Sequence, residues 1–270
     1  MSSINTNVSA LYSQNALKTN TRSMNTAMEQ LSTGTRINSA KDDAAGLAIT
    51  QNMTSVIRGL NMAVRNLNDA VNMLQTADGA MIEQTNMLQR MRELSVQASN
   101  GTNSATQIGY LNTEFQALAT QIGSISSQTT WNGMNLMNAT GTFSYQSGSV
   151  SGQTISVVMS SMSTASLGIS TASITTSTVA ASAIATLDTA MNSINSQRAT
   201  LGASINQMAY AADNLTNVSA NTTASRSVIM DTDYALATTQ LAKNQIIQQA
   251  ATAMLAQANQ QPSAVMALLK

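Results

Sequence analysis

Apolar side chains recur at alternating steps of four and three along one stretch of the chain: Met53, Ile57, Leu60, Val64, Leu67, Val71 and Leu74. The series runs on through Asp78 to Met81 and through Thr85 to Leu88. An a/d seam kept up for about five heptads predicts a helix packed against other helices. The single proline, Pro262, lies far from it. At ~1.5 Å per residue, a helix from about Asp43 to Ser99 extends ~85 Å. "NSAKDDAAG" marks its start, with Ser39 as a cap, Asp42 three residues on, and Asp42 and Asp43 complementing the positive end of the dipole. Asn100-Gly101 marks its end.

A second seam follows after a short link: Ile108, Leu111, Phe115, Leu118, Ile122 and Ile125. The short link implies antiparallel neighbours. A third seam comprises Ile184, Leu187, Met191, Ile194, Leu201, Ile205, Met208, Ala212 and Leu215, interrupted by Arg198. Between these helical stretches, residues 129–181 are rich in Ser, Thr and Gly. "WNGMNL" carries an Asn132-Gly133 turn signal, and Phe143 and Tyr145, then Ile155, Val157 and Met159, alternate with small polar residues. That period of two predicts a β-hairpin folded against the helices. Both ends are amphipathic: Ile4, Val8, Leu11, Leu17, Met24, Met28 and Leu31 at one, and "DTDYALATTQLAKNQIIQQAATAMLAQANQ", capped by Asp231 or Thr232, at the other. Neither has a partner in the three-seam bundle, so each apolar stripe must find another helix or stay unfolded. The expected fold is mainly α: a long antiparallel coiled-coil rod over 44–228 with a small hairpin region at 129–181, plus paired terminal helices, 1–43 with 229–270.

Composition narrows the chemistry. The chain has 270 residues, no Cys and no His, so thiol and imidazole catalysis and ordinary zinc sites are excluded. Twelve basic residues balance twelve acidic ones, which points to neither nucleic acid nor an anionic membrane. No apolar run approaches the ~18–20 residues needed to span a bilayer, and "MSSINTNVSALYSQNALKTN" does not read as a general secretory signal. Asp42 with Asp43, and Asp231 with Asp233, read as helix caps rather than catalytic carboxylate pairs. Met53, Met81 and Met208 read as core filler, not a metal box. The expectation is a non-enzyme without cofactor or metal.

Against a charged fraction of 9%, where roughly a quarter is usual, "LQRMRELSVQASNG" crowds Arg90, Arg92 and Glu93 together. Glu83, Met87, Arg90, Leu94 and Gln97 form a second stripe off the main seam. A mixed apolar and charged stripe suits an outer contact face, with Leu88 facing inward and Arg90 and Leu94 outward. Glu114 on the next helix could join that face.

Four blocks, "LSTGTRINSAKDDAAGLAI", "LQRMRELSVQASNGTNS", "NSQRATLGASINQM" and "LAQANQQPSAVMALLK", resemble bacterial flagellin. The resemblance covers about the whole chain, in order, but lacks the large variable insertion that many members carry after the hairpin. It implies a structural subunit that polymerises into the flagellar filament, exported unfolded by a type III route and located outside the cell. The terminal helices line the inner tube and the rod helices form the layer around it. Implied partners are copies of itself, an export chaperone on 235–270, the filament cap, the hook-junction proteins, and a host Toll-like receptor. Gln89, Arg90, Leu94 and Glu114 are the implied receptor contacts, with Gln97 on the same inter-subunit stripe; Leu255, Leu268 and Leu269 belong to the terminal assembly segment, which a cytosolic innate sensor also reads. The hairpin, Phe143 to Met159, is expected to act in waveform switching. A hook–filament junction protein is the alternative.

Overall fold

The computed structural model describes residues 6–267, with side chains through residue 260. Ile4, Leu268 and Leu269 lie outside the described residues. The described residues form five helices, α1 (Val8–Thr33), α2 (Ala44–Ser99), α3 (Ala105–Gln128), α4 (Ser177–Met230) and α5 (Tyr234–Ala267), and, between α3 and α4 in sequence, four short strands, β1 (Thr130–Trp131), β2 (Met134–Asn135), β3 (Gly141–Gln146) and β4 (Thr154–Met159). The chain forms two compact units, one of Met1–Ser55 with Ala220–Lys270 and one of Val56–Ser219.

In the Val56–Ser219 unit, the heptad positions Leu60, Leu67, Leu74, Met81 and Leu88 of α2 are buried. The companion positions Val64 and Val71 are only partly buried. The fully buried companions are Ala63, Ala70, Ala77, Gln84, Met91 and Ala98, another strict seven-residue repeat. The seam is therefore rotated from the one the large side chains suggest. Packing on two sides of α2 produces this, because α3 and α4 both bury parts of it and small side chains let their backbones approach. α4 shows the same device with Ala183, Ala190 and Gln197. α3 buries Ile108, Phe115 and Ile122 and opens with a capping box, in which the Gln107 N–H donates to Ser104 Oγ and the Ser104 N–H to Gln107 Oε1.

The interruption of the α4 seam has a partner. Arg198 Nε donates to Asp78 Oδ1 at 2.7 Å, and Asp78 is the polar break in the α2 seam. Two breaks that satisfy each other fix one register between antiparallel helices, as polar residues in coiled-coil seams do.

The middle contains two hairpins. β1 and β2 pair through Trp131 and Met134, and the turn takes positive φ at both Asn132 (48°) and Gly133 (79°), the requirement of a type I′ turn. β3 and β4 pair antiparallel with Phe143 opposite Val157 and Tyr145 opposite Ile155. Their apolar face packs on the helical core. Tyr145 Oη reaches Met73 Sδ at 3.5 Å, and burial pushes its phenol up to about 12.

The other unit pairs α1 with α5. Asn20 Nδ2 donates to the Asn244 carbonyl at 2.8 Å, and Asn7 Nδ2 to the Ala258 carbonyl at 2.7 Å, which defines an antiparallel arrangement. Asp233 caps α5 by accepting from the Ala235 and Leu236 N–H groups, in place of the expected Asp231 or Thr232. Asp231 instead bridges to Thr35. The Arg36 guanidinium donates to the Ile229 carbonyl at the end of α4. Gly34 has φ 72°, and a Cβ there would lie 2.9 Å from Tyr234 Oη.

The cap of α2 also differs from expectation. Asp43 Oδ1 accepts from the Gly46 N–H at 2.8 Å. Asp42 closes the preceding turn through Ser39 and Asn38. Desolvation pushes the Asp42 carboxyl up, but hydrogen bonds from the Ser39 hydroxyl and the backbone N–H groups of Ser39 and Asn38 outweigh it and hold it below its ordinary value.

The alanine seam carries the prediction for this unit. Ala77 is wholly buried, so Ala77→Leu is expected to destabilise the Val56–Ser219 unit by about 1–3 kcal/mol. Urea denaturation followed by circular dichroism measures this, and an unshifted midpoint contradicts two-sided packing of α2.

Candidate functional site

The charged cluster on α2 is built over a floor of Leu88, Met91, Leu94, Ser95 and Ala98, all buried. Above that floor, Arg90 makes two charged contacts. Its Nε donates to Glu114 Oε1 of α3 at 2.9 Å, and its Nη1 to Glu93 Oε2 at 3.0 Å. Its hydrogen bond to Glu114, then that to Glu93, raise the guanidinium's pKa. Arg92 Nε donates to Asp188 Oδ1 of α4 at 2.7 Å. The two arginines thus tie one helix to its neighbours on opposite flanks.

The expected outward stripe is corrected at one position. Gln89, Arg90, Gln97 and Glu114 are exposed, but Leu94 is only 1% exposed and belongs to the core. At ~100° per residue, Leu88, Met91 and Leu94 span about 120° of the helix surface. A single seam predicts a narrower buried arc; two flanking helices widen it until it takes in Leu94. Arg90 and Gln97 fall just beyond its edge. The structure therefore joins Arg90 to Glu114, leaves Gln89 and Gln97 exposed on α2 without bringing either to that pair, and buries Leu94.

The sequence reading missed Asp188 as the partner of Arg92. A signal existed: Glu114 and Asp188 are the acids flanking a middle stretch without charge, and each takes one of the two clustered arginines.

A second surface lies on the α1–α5 pair. Among the described residues, only Ala10, Asn20 and Ala27 of α1 and Ala237 and Ala258 of α5 are buried. Leu11, Tyr12, Met28, Leu236, Ile246 and Met254 stay exposed. Leu255 is partly buried. Scattered apolar exposure is ordinary, but so many large side chains on one helix pair leave a surface that another apolar surface can cover.

Among the described residues, no group of three His, Cys, Asp or Glu side chains is placed to hold a metal. None of the described helices is long and apolar enough to cross a membrane.

Residues 4–142 match the family model of the bacterial flagellin N-terminal helical region, and residues 184–269 that of the C-terminal helical region. Flagellin of Halalkalibacterium halodurans is 41% identical over 270 residues, covering 99% of each chain. Flagellin A of Vibrio cholerae serotype O1 is 33% identical over a 375-residue alignment that covers 99% of each. That alignment is longer than this chain, so the Vibrio protein carries segments absent here. Among solved structures, Bacillus cereus flagellin superposes with a TM-score of 0.52 and 32% identity, covering 56% of this chain and 88% of that one. The β3–β4 hairpin from Phe143 onward lies outside both family models.

The Arg92–Asp188 pair can be weighed directly. Both side chains are about half exposed, so solvent screening limits the pair to about 0.2–1 kcal/mol. A double-mutant cycle with Arg92→Ala and Asp188→Ala is expected to show coupling of that size at low salt and less in 1 M NaCl. Zero coupling at low salt contradicts a tie between α2 and α4 at this point.

Proposed function

This chain belongs to the bacterial flagellin family, whose members are structural filament subunits and not enzymes, and we propose how its two units share that work. The terminal segments, 1–43 with 229–270, form the inner layer of the filament, and the helical region from about residue 44 to 228 forms the layer around it. The carrying observation is the α1–α5 pair, which leaves Leu11, Tyr12, Met28, Ile246 and Met254 exposed. In one chain that apolar surface has no cover. In a polymer, other copies cover it, and the stabilisation accrues at about 25 cal/mol per Å² of apolar area buried.

Contacts between copies are heterologous, so they do not close into a ring but continue as a helical tube. With only 9% charged residues, repulsion between many adjacent copies is small. Coupling the order of the ends to binding delays assembly until a growing tip is present. Export of the unfolded chain through the flagellar type III route suits a protein with no disulfides. The segment from about 235 to 270, including Leu255, Leu268 and Leu269, is the chaperone-held and assembly-essential part. The filament cap and hook-junction proteins are its other partners in the appendage, and the filament lies outside the cell.

The exposed side chains of Gln89, Arg90, Gln97 and Glu114 serve sister subunits and the host Toll-like flagellin receptor. Leu94 supports α2 from the core. The Arg90–Glu114 and Arg90–Glu93 hydrogen bonds favour this reading because they hold a planar guanidinium in one orientation on the surface. The β3–β4 hairpin takes part in switching between filament waveforms.

Purified protein added to filament seeds is expected to form micrometre-long tubes under the electron microscope, and a variant lacking 255–270 to form none. A finite oligomer from the full chain points instead to the hook–filament junction role. For the receptor surface, Arg90→Ala combined with Glu114→Ala is expected to lower receptor signalling by monomer at least tenfold with helix content unchanged. Signalling equal to the parent's contradicts the assignment.

A further inference from the structure

Two glutamines sit in heptad rows of α2 and α4 whose other buried members are apolar, mostly alanine. Gln84 continues Ala63, Ala70 and Ala77, and Gln197 continues Ala183 and Ala190. The ion pairs Asp78–Arg198 and Arg92–Asp188 bracket both, so the two glutamines lie at one level of the antiparallel helices. Gln84 is fully buried and Gln197 nearly so. Their amides do not pair with each other. Both reach the segment that runs out of β4.

Gln84 Nε2 donates to the Met162 carbonyl at 3.2 Å and to the Ile122 carbonyl of α3 at 3.3 Å. Gln197 Nε2 donates to the Val158 carbonyl at 3.0 Å, while the Ser160 N–H donates to Gln197 Oε1 at 3.4 Å. The Gln197 amide thus mimics a neighbouring strand, giving a donor and an acceptor to the backbone of one extended stretch. The Met162 N–H also donates to the Met137 carbonyl at 2.8 Å. The orientation of Gln84 is forced: rotated by half a turn, its oxygen would face two carbonyl oxygens. The consequence is that Gln84 Oε1 is buried with no partner, so the fold bears the uncompensated desolvation of that oxygen. An amide kept at that cost in a mostly alanine row is placed for the bonds its nitrogen makes.

We propose that Gln84 and Gln197 are positioning residues that clamp residues 158–162 and thereby set how the β3–β4 hairpin is seated on α2 and α4. The effect on the filament rests on the reading that the hairpin takes part in waveform switching. Because the clamp grips backbone groups, it leaves the side chains on the hairpin's outer face, such as Val158, free to contact neighbouring copies. Loss of the clamp releases the hairpin's exit strand without unfolding the helices.

Hydrogen exchange of the amides of residues 154–162 tests the clamp in full-length monomer, each variant being compared with the parent at the same pH. Gln197→Glu keeps the acceptor but loses the donor when ionised. Exchange is expected to be at least tenfold faster than the parent's at pH 7.5 and close to the parent's near pH 4, where the protonated carboxyl donates again. Gln84→Met keeps the volume and is expected to accelerate exchange at both pH values with unchanged helix content. Parent-like exchange in both variants overturns the clamp, as does a Gln197→Glu effect of equal size at both pH values, which marks mere packing damage. Filaments of Gln197→Glu seen by dark-field microscopy address the second level. An altered waveform supports the full proposal. Faster exchange with an unaltered waveform keeps the clamp and overturns the hairpin's part in waveform switching.

Discussion

Everything in the Val56–Ser219 unit depends on α2 being covered from two sides. One covered face requires one seam, and Leu60, Leu67, Leu74, Met81 and Leu88 supply it. A second covered face requires a second row, and Ala63, Ala70, Ala77 and Ala98 supply that with side chains small enough for close backbone approach. From this follow the width of the buried arc, the burial of Leu94, and the sorting of the charges. Arg90 can reach only α3 and Arg92 only toward α4, because the buried arc lies between them. The crowding of charge at Arg90, Arg92 and Glu93 is thus the surface consequence of a helix held by two others.

The helical seams and the main hairpin were legible in the sequence because large apolar residues report burial at periods of 3.5 and 2. The antiparallel order was legible in the short link. The pairing of the terminal helices came from the family resemblance, since many large side chains of that pair stay exposed. What was not legible has a common cause. Alanine and glutamine carry no clear hydrophobic signal, so the second row on α2 and the matching row on α4 passed unseen, and Leu94 was assigned to the wrong side. Arg198 and Asp78 each looked like a flaw in its own helix. Only the pairing of the helices shows that they answer one another. The caps moved, by four residues from Ser39 to Asp43 and by one or two from Thr232 or Asp231 to Asp233, because several Asp and Ser side chains compete at each start and local turn geometry decides among them.

The α1–α5 unit follows a different logic. Its buried positions are mostly alanine, with Asn20 and Asn7 tying side chain to backbone across the pair. Small residues permit close approach but bury little apolar area, and the larger side chains are left outside. Such a pair gains little from its own apolar burial. The proposed function gives that design a use, with further copies in the filament supplying the cover that the terminal helices lack.

Hydrogen exchange of α1 and α5, compared between monomer and filament, tests this coupling most directly. The account predicts that amides of residues 8–33 and 234–260 exchange within seconds in the monomer and at least a hundredfold more slowly in the filament, while the central amides of α2, α3 and α4 are protected in both. Equal protection of the terminal helices in monomer and filament would contradict it.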